Sequence, residues 1–349
     1  MIPPASRSPE EFPVQQSQAK DIIRVASYHR KDFDHAVIRL DLRETDPHRR
    51  SLVAPFAHSP ETGLGDLEPL PLEILCEICR LLDVASLFSL GQVSRRGRQV
   101  VAALPGYATF AKYALDALRV VFKAGLKSHF TAADLHNILC TRDCALCGEF
   151  GGFVFLPVLR RCCFDCIQFN PENQVVTLGD VRAQMAVTET QLKKLNAPIL
   201  RTLPGVYSMD ETQWKRRLRL VSPEVVPGSW DPTRPVGFHL APPKLPPLHR
   251  FLAATALPFV DPVTFEVQHG VSCKGCQIVV EKDSMELKSL DNHLRDRVYS
   301  EEGFIDHFKW CAEAQTLWVS SQGGTVPVKE SSFIRRGGYL RNLDDGITS

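Results

Sequence analysis

Cys144-Ala145-Leu146-Cys147-Gly148 places two thiols either side of a two-residue spacer, followed by a glycine that permits a tight backbone turn. Thiolates so spaced can chelate one ion between them. Cys163-Phe164-Asp165-Cys166 repeats the arrangement, with fifteen residues between Cys147 and Cys163. Two such pairs at that interval have the spacing of a four-thiolate tetrahedral zinc site. Reduced cysteines packed as small apolar side chains do not need paired spacing. Cys140 and Cys162 flank the motif and remain alternative ligands in its register.

A second set lies further along. Cys273-Lys274-Gly275-Cys276 forms another pair, and His307-Phe308-Lys309-Trp310-Cys311 offers a nitrogen and a sulfur. Residues 300–318 read as one helix, on which His307 and Cys311 at i, i+4 project to the same side. The set predicts a closed site of three sulfurs and one nitrogen, with His293 and His269 competing for the nitrogen position. Both proposed shells are full. The expectation is therefore two structural zinc ions, with no open position for a catalytic water. Cys76 and Cys79 share the same spacing, but sit mid-helix among Leu75, Ile78 and Leu82, where core packing is the better reading.

The 349 residues favour two or more structural units, and 44% hydrophobic with 23% charged residues is ordinary globular composition. A formal net charge of +1 argues against a global attraction to nucleic acid or anionic membrane. No apolar run reaches spanning length and the start carries no secretory pattern, so no membrane association is expected. Eleven cysteines in that setting imply a reducing compartment, cytoplasm or nucleus, and metal ligation rather than disulfides. No H-E-x-x-H, G-x-S-x-G or P-loop occurs, so the chain reads as non-catalytic. A zinc-finger regulator that binds nucleic acid is the alternative class, disfavoured by the low charge and by the lack of a basic recognition helix near either cysteine set.

Stepping to the elements around these residues, Leu70-Pro71-Leu72-Glu73-Ile74-Leu75 sets a proline at a helix start, where a missing N–H costs nothing. Leu72, Leu75, Cys76, Ile78, Cys79 and Leu82 follow at helical spacing. Asp83 is placed to cap a second short helix that Gly91 would end, and Ser94 to cap a third. Three short helices make too small a core to stand alone, and must complete their burial elsewhere.

This opening, with the Leu87…Leu90…Val93-Ser94-Arg95 continuation, resembles an F-box. The resemblance implies docking onto a Skp-type adaptor, which joins the F-box to a cullin–RING ubiquitin ligase. By position it assigns Leu70, Pro71, Leu72, Ile74 and Leu75 to the adaptor-facing anchor, supported by Leu87 and Val93. The stretches FGGFVFLP…RRCCFDC and GVSCKGCQ…HFKWCAEAQTLW further resemble filamentous-fungal F-box proteins with a cysteine-containing carboxy-terminal region. What that implies is a substrate receptor for an unknown target protein, with no leucine-rich or WD-type repeats to serve as a template for recognition.

The expected class is α+β, mainly helical with small β elements: a three-helix F-box followed by a zinc-stapled irregular region. Residues 1–67 are expected as a disordered or weakly ordered tail, with one isolated strand over 33–42. The F-box-like unit spans 68–110, and a helical region with the first cysteine pairs spans 111–221. Helix starts are signalled at Thr131, Thr177, Thr188 and Ser208 by their spacing to Asp134, Asp180, Gln191 and Glu211. The last of these carries Lys215, Arg216, Arg217 and Arg219, read as a solvated face. Residues 222–247 are a Pro-rich connection, 248–320 the second metal-type region, and 321–349 a flexible tail.

Overall fold

A computed structural model of the chain describes residues 7–40, 63–185, 187–226, 248–282 and 294–339. Its first helix, α1 (Ala19–Ala26), buries Ile22, Val25 and Ala26, which fall at i, i+3 and i+4 on one face. After it come β1 (Ser27–Tyr28) and α2 (Lys31–Ala36), whose Phe33 ring stacks on Phe164 at 3.9 Å. Ile38 then bridges to Thr255. For residues 7–40 the expected tail is therefore corrected: this segment is folded into the body. The strand expected from Phe33 is a helix as far as Ala36; residues 1–6 and 41–62 of that tail lie outside the described residues, and its end carries a 3-10 turn over Gly65–Leu67.

Six short helices follow: α3 (Leu72–Leu81), α4 (Val84–Val93), α5 (Arg95–Ala103), α6 (Pro105–Tyr113), α7 (Leu115–Lys123) and α8 (Ala132–Leu139). Their starts are set by polar caps. Asp83 accepts from the Ser86 amide, Ser94 from that of Gly97, and Thr131 and Asp134 cap each other reciprocally. Gly91 does not end α4, which continues to Val93. The glycine that matters is Gly97, where a Cβ would come within 2.4 Å of the Leu90 carbonyl. Only a residue without a side chain lets α5 cross α4 that closely.

Leu75, Leu87, Val100 and Leu104 enter one hydrophobic cluster with Phe153, Phe155 and Leu252, so the small helices complete their burial on later parts of the chain. Those parts begin with β2 (Phe153–Phe155), β3 (Arg160–Cys162) and α9 (Phe164–Phe169). Next are β4 (Val176–Thr177), α10 (Leu178–Met185), α11 (Glu189–Lys194) and β5 (Leu200–Arg201). The hairpin of β6 (Gly205–Tyr207) and β7 (Thr212–Trp214) then precedes β8 (Arg219–Val221). This hairpin replaces the helix expected from Ser208. Ser208 and Glu211 adopt φ of 66° and 51°, a left-handed turn that no helix start can contain.

The Pro-rich connection lies outside the described residues beyond Val226. The chain resumes with α12 (Leu248–Phe251) and β9 (Ala254–Ala256), which completes a three-stranded antiparallel sheet in the order β3-β2-β9. β8 sits between β4 and β5 in a second antiparallel sheet. After β10 (Phe259–Val260) and β11 (Val267–Gln268), β12 (Ser272–Cys273) pairs with β1 and leads into α13 (Lys274–Lys282). The helix expected over 300–318 is two helices, α14 (Glu301–Phe308) and α15 (Ala312–Ser320). A separate cluster gathers α1 with α13, α14 and α15.

The segment after Ser321 is not a free tail as far as Tyr339. It forms α16 (Ser332–Arg335), buries Ile334, and donates the Tyr339 hydroxyl to the Lys31 carbonyl at 3.1 Å. The architecture is α+β, mainly helical with small antiparallel sheets, as the sequence suggests. Among the described residues, no helix is long and apolar enough to cross a membrane.

Candidate metal centres and an exposed helical face

Cys144, Cys147, Cys163 and Cys166 converge, their sulfurs all within 4.8 Å of one another. The first pair sits on a knuckle in which the Gly148 amide donates to the Cys144 carbonyl at 2.9 Å, with Gly148 at a φ of 76°. The second pair opens α9: Cys163 is its cap and accepts the Cys166 amide at 3.4 Å. β3 delivers that cap. The Ala145 amide bonds the Arg161 carbonyl at 3.0 Å, so knuckle and strand are fixed together. The buried Arg161 guanidinium reaches the carbonyls of Pro258 at 3.1 Å and Ile138 at 3.3 Å, and also that of Gly151. Burial pulls its pKa down to about 9.

Cys147 and Cys163 lie 3.6 Å apart. A zinc–sulfur bond of about 2.3 Å gives a tetrahedron with an edge of about 3.8 Å, so the donor set fits a four-thiolate ion. Crowding already disturbs the thiols. Hydrogen bonds from Cys162 and Cys163 hold Cys144 far below the usual thiol range, and burial pushes Cys166 up to about 12. A divalent cation resolves that conflict by taking all four as thiolates.

The second set is Cys273 at the end of β12, Cys276 in the first turn of α13, His307 late in α14 and Cys311 capping α15. All four are buried. Cys273 and Cys311 are 3.8 Å apart, and Cys276 lies 3.4 Å from His307 Nε2. The chain breaks between α14 and α15, so His307 and Cys311 are not neighbours on one helix face. The break instead turns Cys311 back toward Cys273. Tyr299 stacks on His307 with ring centroids 4.8 Å apart, and its hydroxyl is 3.2 Å from Nδ1. A donor N–H at Nδ1 leaves Nε2 as the free lone pair for an ion, the arrangement that outer partners of histidine ligands impose. No sequence signal marked Tyr299 for this role.

The alternative ligands fall elsewhere. Cys162 is buried beside the first set but is engaged by Asn173, whose Nδ2 is 3.4 Å from its sulfur. Cys140 contacts His136 at 3.6 Å, and His269 faces the ring of His29 at 6.0 Å. His293 lies outside the described residues. Cys76 and Cys79 belong to neither group, and Cys79 is packed in the main core. Residues 142–150 beside the first cluster meet the segment 294–307 of the second around a cavity of about 430 Å³.

A different kind of surface lies on α3. Ile74, Ile78 and Leu81 fall at i, i+4 and i+7, and all are exposed, Leu81 to 80%. Leu67 and Leu72 are exposed as well, while Leu75 and Cys79 on another face are buried. An amphipathic helix whose second face is also apolar is a helix prepared for a partner. Residues 67–103, which contain this helix and the next two, match the family model described as F-box-like. The chain carries an F-box-like domain.

The match ends before the cysteine clusters. Comparisons with curated proteins and with solved structures return no match to the chain. Within the F-box-like domain, the residues assigned to adaptor contact divide in two. Pro71, Leu72, Ile74 and Val93 are exposed and Leu70 is half-buried. Leu75 and Leu87 are 3% and 0% exposed and are packed in the main core. Ile78 and Leu81 on α3, and Leu67 just before it, are the exposed apolar residues that sequence reasoning missed. For Ile78 the helical periodicity was visible, but which of two apolar faces would be covered was not.

Proposed function

We propose that the chain is the substrate-receptor subunit of a Skp/cullin/RING ubiquitin ligase, recruiting a target protein whose identity is open. The observation that carries this reading is the coincidence of the F-box-like match with an exposed apolar stripe on its first helix. Leu75, Cys79, Val84, Leu87, Val100 and Val101 of the domain are packed into the main core, so the stripe is a presented surface rather than a loose end. Two zinc ions, one in the four-cysteine set and one in the three-cysteine, one-histidine set, brace the carboxy-terminal region that displays the target surface. With four protein ligands each, they are structural, and the ubiquitin transfer chemistry belongs to the recruited conjugating enzyme. Thiol ligands of this kind call for a reducing compartment, cytoplasm or nucleus.

The experiment is co-purification of a Skp-type adaptor with the full chain and with Ile74→Asp/Ile78→Asp. Both side chains are exposed, so the variant keeps its core, and adaptor recovery should fall by at least about tenfold with zinc content unchanged. Undiminished recovery would refute the receptor reading.

A further inference from the structure

The basic run Lys215-Arg216-Arg217, with Arg219, is not on a helix. It leaves β7 and enters β8, where Arg219 stands directly opposite Arg201 of β5 in the antiparallel register. Both are exposed, and like charges at facing positions of a ladder destabilise it. Arg219 is partly compensated by Glu189, but that carboxylate is shared with Lys193 at 2.9 Å. No carboxylate pairs with Arg201, Arg216 or Arg217 among the described residues.

Neighbouring segments carry further positive charge. The Arg201 amide donates to the Ala124 carbonyl at 2.9 Å, which anchors β5 beside the turn bearing Lys127. His129 of that turn contacts the Asn196 carbonyl at 3.2 Å, joining it to the end of α11. There Lys193 precedes Leu195, an apolar side chain left 57% exposed. The Thr202 hydroxyl donates to the Arg216 carbonyl at 3.0 Å and accepts from the Leu218 amide at 2.8 Å, holding the basic loop against β5. These bonds tie the basic loop, β5 and the end of α11 into one neighbourhood of exposed cationic side chains, with the exposed Leu195 close by in the chain.

We propose that this face docks an acidic segment of a partner protein, its carboxylates meeting Arg201, Arg216, Arg217 and Lys193, and one apolar side chain meeting Leu195. This deepens the substrate-receptor reading and rests on it only for the partner's role. Charge complementarity decides the chemistry. The face also argues against nucleic acid. Trp214, the aromatic residue beside it, has its indole N–H 3.4 Å from Thr202 and its ring edge-on to His249 at 5.5 Å, so it offers no platform for a base. A whole-chain charge of +1 supplies no long-range attraction to a polyanion either.

The test uses the full chain and a fluorescein-labelled peptide in which glutamates flank a single leucine, read by fluorescence anisotropy. Matched probes are the same peptide with glutamine for glutamate, and a labelled DNA duplex of mixed sequence. The glutamate peptide should bind and the glutamine peptide should not. Arg201→Glu/Arg217→Glu should weaken binding by at least about tenfold without lowering the thermal transition or the zinc content. If charge reversal disturbs folding, Arg201→Gln/Arg217→Gln is measured in its place, with the same direction expected. Equal binding of the glutamine peptide, no effect of either variant, or tighter binding of DNA than of peptide would overturn the proposal. Loss of adaptor capture with peptide binding intact would strike the receptor reading and leave this face standing.

Discussion

Replacing Tyr299 by Phe removes one hydroxyl and preserves the ring that stacks on His307. That hydroxyl is 3.2 Å from His307 Nδ1, and both residues are buried. Without it, Nδ1 loses its partner where water cannot substitute, at a cost of about 1–3 kcal/mol. At about 1.4 kcal/mol per tenfold, an ion in the second cluster, proposed to be zinc, should be held roughly 5- to 150-fold less tightly. Outer partners of metal-ligating histidines contribute on the order of 10- to 100-fold to affinity, the same range reached by a different route. The assay is competition with a chromogenic chelator on the purified chain. The variant should release one zinc equivalent at lower chelator concentration and the other at the wild-type position, because the four-cysteine site has no contact with Tyr299. Release of both ions at the wild-type position would refute the role given to Tyr299. Parallel weakening of both would show that the clusters are not independent.

Leu87→Ala should lower stability by about 2–5 kcal/mol, since the side chain is fully enclosed, and should reduce adaptor capture only as the domain melts. Thermal denaturation followed by circular dichroism reads the first effect, and adaptor capture well below the transition reads the second; loss of capture from a folded variant would make Leu87 a contact residue. Cys147→Ser should remove about one equivalent of zinc and Cys76→Ser none, measured by elemental analysis. The reverse pattern would show that the wrong cysteines had been paired.

Much of the metal chemistry was legible because ligand spacing is local. Each C-x-x-C pair fixes its own turn, and the structure brings together the eight residues that spacing singled out. The caps at Asp83, Ser94, Thr131 and Thr188 were legible for the same reason, each being satisfied within three residues. What was missed depended on distant partners. The break between α14 and α15 carries no proline or glycine; it exists because Cys311 must turn toward Cys273, which no window of sequence contains. The hairpin at 205–214 imitated a capping box, but Tyr207 is buried in the main core and Ser208 bonds its amide to the Ala36 carbonyl, so packing overrode the local signal. α1 did carry a readable face in Ile22, Val25 and Ala26, obscured by the polar composition on either side.

The pairing of β1 with β12 sets Ser27 opposite Cys273, a ligand of the second centre, although most of the sequence lies between them. Contacts so remote are slow to form, because the intervening chain must be closed into a loop before they bring any gain. On a ribosome, the four-cysteine knuckle can capture its ion as soon as Cys166 emerges. The other set is incomplete until Cys311 has been made, and the strand leading out of α1 pairs beside it only when β12 exists. Ions held at both sites would therefore report different moments in the life of the molecule, the first an early local event and the second a late one that draws the first helix back. A chain arrested short of Cys311 would keep the four-cysteine set but lack the α15 residues that cover the apolar face of α1.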